Sequence, residues 1–142
     1  RLVIIIFQTQ KFNESQEIKK FSKRNEKSGA IISFIGKVRE KNKNKKIINM
    51  DIEFYEKMAK FQINKIVKLI LKENKIDDYL IIHRFGRLQP GENIVLIIAA
   101  SQHRKESFIF VEKIVNWLKF KITFWKKENF LDHSTWVKGE KK

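Results

Sequence analysis

The chain has no cysteine, one proline and five glycines in 142 residues. Without thiols it can form no disulfide, bind no metal through thiolate and offer no cysteine nucleophile. Its three histidines, His83, His103 and His133, are not spaced as ligands of one ion, so no structural metal is expected. No apolar run approaches the roughly 18 residues of a membrane-spanning helix. The opening run, residues 2–7, lacks a basic flank and a small-residue cleavage site, and it reads as the first strand of a soluble, cytoplasmic protein. Acidic groups are scarce: 16 Asp and Glu stand against 31 Lys and Arg, a net charge of +15. Such a charge would suit a polyanion. Lys, Asn and Ile recur everywhere, loops included, so a general compositional bias with a small anionic partner is the better reading than nucleic acid.

What is present suffices for a core. With 42% hydrophobic residues, the length suits one domain over residues 1–142. After the first strand, Asn13-Glu14-Ser15 marks a helix start with Ile18 and Phe21 on its apolar side. Residues 29–39 read as a strand whose glycines permit close backbone approach. Residues 40–46, EKNKNKK, hold nothing to bury and read as a mobile surface loop that orders when a ligand or partner arrives. Ile48, Met50, Ile52 and Phe54 alternate with polar residues, the mark of a half-buried strand. Residues 55–74 are helical, with Ala59, Ile63, Ile66, Val67, Ile70 and Leu71 toward the core. Strands follow at 79–85 and 93–100, separated by a turn over 86–92 that holds the single proline, Pro90, before Gly91. The order is βαββαββαβ, an α+β fold with mixed or antiparallel pairing.

The stretch 101–128 organises the rest. Ser101-Gln102-His103-Arg104 precedes a helix whose apolar face carries Phe108, Val111, Val115 and Leu118, widened by Phe110, Ile114 and Trp117. Lys119 and Lys121 sit at its far end, where the helix dipole favours cations. Residues 122–125 are strand-like, and Lys126-Lys127-Glu128 follow at a strand-to-loop junction. Basic groups thus mark several junctions of rigid elements, which suggests an anion pocket. In the tail, Trp136 is expected to dock on the body.

Several of these stretches, taken together and in order, resemble the large, catalytic subunit of molybdopterin synthase. They are Gly36-Lys37-Val38-Arg39, Ile82-His83-Arg84-Phe85-Gly86, Leu88-Gln89-Pro90-Gly91-Glu92, Ser101-Gln102-His103-Arg104, Lys119 and Phe124-Trp125-Lys126-Lys127-Glu128. The resemblance runs from about residue 29 to residue 137. It implies an α/β hammerhead fold and a central homodimer. Each copy would bind a small ubiquitin-like sulfur-carrier subunit, giving a heterotetramer. The carrier's C-terminal thiocarboxylate would supply sulfur to cyclic pyranopterin monophosphate, forming the dithiolene of molybdopterin with no further cofactor. Absence of cysteine fits that division of labour.

The resemblance carries over Lys119 and Lys126 as catalytic. It carries over Lys37, Val38, Arg39, His103, Arg104, Lys127 and Glu128 as substrate-binding. By themselves the residues admit plainer roles: Arg39 a solvated strand end, His103-Arg104 a helix N-terminus, Lys119 a complement to the helix dipole. Yet an Arg fork suits phosphate oxygens, and the free N–H groups of a helix start attract anions. Two neighbouring ammonium groups would lower each other's pKa, making one of them useful for proton transfer near neutrality. His83 and Arg84 read as structural or interfacial. The helix between Arg104 and Lys119 spans roughly 22 Å, so these two ends would meet in one pocket only if the helix started later or bent or, the favoured reading, if a neighbouring copy supplied one of them. Two departures stand out. Thr123 replaces a proline common in the family. Lys138 follows Trp136-Val137 where the sister subunit would lend a basic residue, with Glu140 a poor substitute. A basic nucleic-acid-binding module and an inactive scaffold for a ubiquitin-like partner remain as other classes.

Overall fold

The computed structural model describes residues 4–120 and 124–137. Leu2, Val3, Lys121, Ile122, Thr123, Lys138 and Glu140, which figure in the expectations above, lie outside the described residues. Strand β1 (Ile5–Gln8) leads to helix α1 (Glu14–Arg24). Asn13 caps that helix, its side-chain oxygen accepting the Gln16 N–H at 3.0 Å. Glu14 and Glu17 in the first turn and Lys23 and Arg24 in the last match the helix dipole. Phe21 is fully buried, with Ile18 packed beside it.

Strand β2 (Ala30–Lys37) is preceded by Gly29, where a Cβ atom would collide with the backbone oxygen of Gln102. The expected close approach is therefore real, and it ties the start of β2 to the turn that carries His103 and Arg104.

Residues 40–46 correct the loop expectation. They form a hairpin of two short strands, β3 (Lys41–Asn42) and β4 (Lys45–Lys46), paired Lys41 to Lys46 and Asn42 to Lys45. Lys43 and Asn44 turn the chain with φ of 51° and 66°. Positive φ at both central residues is the two-residue turn whose twist matches paired strands. Asn tolerates this region, whereas Lys is an unusual occupant. Composition concealed the turn because no Asn-Gly pair announces it. Lys43→Gly should therefore stabilise the hairpin by about 0.5–1 kcal/mol, and slower amide exchange over residues 41–46 would show it.

Strand β5 (Asn49–Phe54), helix α2 (Glu56–Glu73), strand β6 (Asp78–Arg84), strand β7 (Gly86–Leu88) and strand β8 (Asn93–Ser101) follow. Then come helix α3 (Arg104–Phe120), strand β9 (Phe124–Asn129) and strand β10 (Ser134–Trp136). Two expectations change here. The first residues of the 86–92 turn are a strand, β7, which pairs with β5. Lys126, Lys127 and Glu128 lie inside β9 rather than beyond its end, held there by pairing with Ile52, Asp51 and Met50 of β5.

One sheet has the order β1-β6-β8-β2 and another β10-β9-β5-β7. The β1–β6 pair is parallel and the other pairs are antiparallel, the expected mixed α+β arrangement. Strands β6 and β8 are covered on both faces, which is why they read as unbroken apolar runs. On one face, Leu80, Ile82, Leu96 and Ile98 meet Phe21 of α1. On the other, Ile81, Ile97 and Ala99 meet Ile63 and Val67 of α2 and Phe110 and Ile114 of α3.

Helix α3 seats Ser107, Phe110, Val111, Ile114 and Leu118 inward, while Phe108 is 55% exposed. The buried stripe is thus rotated from the expected one. Ser107 takes an inward place because its hydroxyl has a buried partner, the Ser101 hydroxyl at 2.6 Å. Leu71, also expected in the core, lies at the exposed margin of α2, since Ile63, Ile66, Val67 and Ile70 fill the inward stripe. Among the described residues no helix is long and apolar enough to cross a membrane.

Candidate functional site

Side chains alternate along a strand, so β9 sorts the basic cluster by face. Phe124, Lys126 and Glu128 share one face; Trp125 and Lys127 share the other. Phe124 stacks against Phe54, its partner across β5, with ring centroids 5.2 Å apart. That packing holds the inner face of the strand in place next to Lys126.

Glu128 is buried to 1% exposure, and a buried carboxylate needs partners. Among the described residues its side chain has three hydrogen bonds. Arg39 donates through Nε to Oε2 at 2.9 Å and through Nη2 to Oε1 at 3.1 Å, and Asn42 donates through Nδ2 to Oε1 at 2.8 Å. The two-pronged bond fixes the plane of the guanidinium. The Glu128 hydrogen bond, opposed by partial desolvation, raises Arg39 above its ordinary pKa. The Arg39 side chain keeps 53% of its surface exposed, so a permanently charged fork is held at the surface with one edge anchored.

Lys126 is half-buried, two residues from Glu128 on the same face. Burial first, and then the charge of Lys119, lower its pKa from 10.5 to about 8. An amine so placed can both give and take a proton near neutral pH. The expected coupling of the two lysines is thus visible on Lys126. The unfolded chain holds the extra proton between about pH 8 and 10.5, so this group makes stability rise with pH across that window. Below pH 8 the buried charge costs stability in full. Lys126→Met should accordingly stabilise the fold at pH 7 by about 1–2 kcal/mol, after allowance for partial solvation. Urea denaturation should show the gain fading by about pH 10.5.

Lys119 is exposed in the last turn of α3. His103 and Arg104 are at the other end of that helix, both exposed. The His103 carbonyl accepts the Ser101 hydroxyl at 2.6 Å, which shapes the turn into α3. Seventeen helical residues separate the two ends by roughly 25 Å. One copy of the chain therefore gathers Arg39, Lys119, Lys126 and Glu128 but not His103 or Arg104.

The remaining expected residues fall elsewhere. Lys37 is exposed and donates to Asn93 Oδ1 at 3.2 Å. Val38 is buried, and its backbone is tied to Glu92 and Gly91 at 2.9 and 2.8 Å. Lys127 lies on the outer face of β9 with its ammonium 5.6 Å from the centre of the Trp136 ring. Trp136 docks through β10 pairing with β9 while staying 48% exposed. Asp51 shares that outer face; its bonds from Arg87, more than the charge of Lys127, hold its pKa down to about 2.

Arg84 is buried and donates to the Thr9 carbonyl at 2.9 and 3.2 Å and to Glu92 at 3.3 Å, a structural role as read. Asn42 is a site neighbour that the sequence did not single out, and His83 is one that it marked only as structural or interfacial. Asn42 lies in a segment whose composition suggests a loop, and only strand pairing aims it at Glu128.

A family described as MoaE protein matches residues 7–121. The chain belongs to the MoaE family. It is 32% identical over 138 residues to the molybdopterin synthase catalytic subunit of Brucella melitensis, covering 96% of this chain and 83% of that protein. It is 40% identical over 109 residues to the one from Dictyostelium discoideum, covering 75% and 69%. Among solved structures, the molybdopterin synthase of Staphylococcus aureus superposes with a TM-score of 0.84 at 29% identity, covering 96% of this chain and 98% of that one. The fold expected from the resemblance is therefore the MoaE fold, with β9 and the end of α3 as parts of it.

Proposed function

We propose that the chain is the catalytic subunit of a molybdopterin synthase, a sulfurtransferase acting on cyclic pyranopterin monophosphate. The observation that carries this reading is the lowered pKa of Lys126, beside Lys119 and two residues from the Arg39–Glu128 pair, in a MoaE chain. Arg39 binds the phosphate with the exposed part of its fork. Lys119 and Lys126 meet the carrier's C-terminal thiocarboxylate. As the carrier's sulfur bonds to a substrate carbon, that carbon's bond to oxygen breaks and the oxygen leaves with a proton, while the carrier tail remains attached as a thioester. Water then cleaves the bond between the carbonyl carbon and sulfur, releasing the carrier as a carboxylate. Neutral Lys126 takes the proton of that water, and the Lys119 ammonium offsets the negative charge on the oxygen.

The chain lacks cysteine, so its sulfur must arrive on another molecule, and the proposed partner is a small ubiquitin-like carrier. His103 and Arg104 complete the pocket from a second copy, because α3 keeps them from Lys119 within one copy. The assembly is then a homodimer with a carrier at each site. Reconstitution with thiocarboxylated carrier and the pterin substrate tests the reading. A product that gains two sulfurs is expected; carrier that keeps its thiocarboxylate in the presence of substrate would overturn it.

A further inference from the structure

His83 is buried at 0% exposure on β6, its ring stacked on Phe124 with centroids 3.9 Å apart. Nδ1 lies 2.8 Å from the Arg84 carbonyl oxygen. A carbonyl can only accept, so Nδ1 carries the proton and Nε2 carries a lone pair. Among the described residues nothing hydrogen-bonds to Nε2. Leaving a buried acceptor unpaired costs stability, so such an atom calls for a role. Burial, and then the charge of Lys126, push the pKa of His83 down to about 3, so the ring is neutral near pH 7. The imidazole is thus a fixed, neutral acceptor within reach of the field of Lys126.

The groups around Lys126 leave this acceptor open. Lys119 at the end of α3 is a cation. Both Glu128 oxygens are taken by Arg39 and Asn42. Ile52, opposite Lys126 on β5, has no polar group. We propose that His83 is a positioning residue for Lys126: its Nε2 accepts a hydrogen bond from the Lys126 ammonium whenever that side chain holds its proton. The bond draws the charge toward the sheet and away from Lys119, and it releases the amine once the proton has left. This inference rests on the reading of Lys126 as the proton-transfer group.

Nitrogen NMR of the labelled, full chain tests it without any turnover, so its result is separate from that of the sulfur-transfer reading. The Nε2 resonance of His83 should move with a midpoint near pH 8, as Lys126 titrates, and the movement should vanish in Lys126→Met. An Nε2 that carries the proton, or that is unmoved from pH 6 to 10, would overturn the proposal. As a second arm, His83→Phe keeps a ring against Phe124 but loses the acceptor. The midpoint of the rise of its turnover with pH should drop by about one unit, the size one bond to a charged group produces, and His83→Gln should restore part of the shift. An unchanged midpoint in a folded His83→Phe would equally overturn it; if that variant does not fold, the resonance alone decides.

Discussion

Lys119→Ala should lower turnover by about 10²–10⁴, the usual loss on removing a positioned acid–base or charge-stabilising group. Its fold should persist, because Lys119 is exposed and complements a helix C-terminus, an interaction worth about 0.3–1 kcal/mol. Carrier affinity should also persist, since the carrier would bind through a surface far larger than one ammonium. The same change removes the cation that helps lower Lys126, so the midpoint at which the residual activity rises with pH should move above pH 8. Single-turnover rates across pH, beside a melting curve, separate these effects. Turnover within a few-fold of the parent would reduce Lys119 to a helix-end charge and pass the role to Lys126.

Arg39→Ala should carry the largest stability loss at the site, about 2–3 kcal/mol. The change leaves Glu128 buried with Asn42 as its remaining partner among the described residues. Arg39 itself is half-exposed and would lose little by returning to water, so the cost falls on the stranded carboxylate. Replacing both residues by leucine should recover most of the stability, because neither charge then needs a partner. Substrate affinity should fall in the single and the double variant alike, since both lack the fork. Urea denaturation of the variants gives the first quantity and equilibrium substrate binding the second. A single variant as stable as the parent would mean that Glu128 does not depend on Arg39.

The principal helices and strands were readable from periodicity, and Asn13 announced its helix through its capping chemistry. The alternation at β5 showed its half-buried face in the same way. Three features were concealed, each for a physical reason. The β3–β4 hairpin turns through Lys43, a residue that rarely adopts positive φ, so its composition looked like loop. The inward stripe of α3 uses Ser107, whose burial depends on a partner at Ser101 that no spacing rule reveals. Strand β9 runs on through two lysines and a glutamate because pairing with β5 overrides their poor strand propensity.

At the site, the lysine coupling followed from the family resemblance, which places Lys119 and Lys126 in one pocket, whereas the anchoring of Arg39 needed the tertiary contact with Glu128. His83 read as structural because nothing in the sequence shows that one of its nitrogens is left without a partner. The length of α3 was readable, and so was the separation of Lys119 from His103 and Arg104 that follows from it.

That separation gives the most direct measurement of the central claim, that a sulfur-transfer pocket is shared between two copies. Lys119→Ala and a His103→Ala/Arg104→Ala double variant should each be nearly inactive alone with thiocarboxylated carrier and pterin substrate. Mixed and allowed to exchange subunits, they should regain about a quarter of parental activity. Random exchange makes about half the dimers mixed, and each mixed dimer holds one pocket with all its groups and one with neither set. No recovery after verified exchange would contradict the account, placing Lys119, His103 and Arg104 in service of the same copy or outside the reaction.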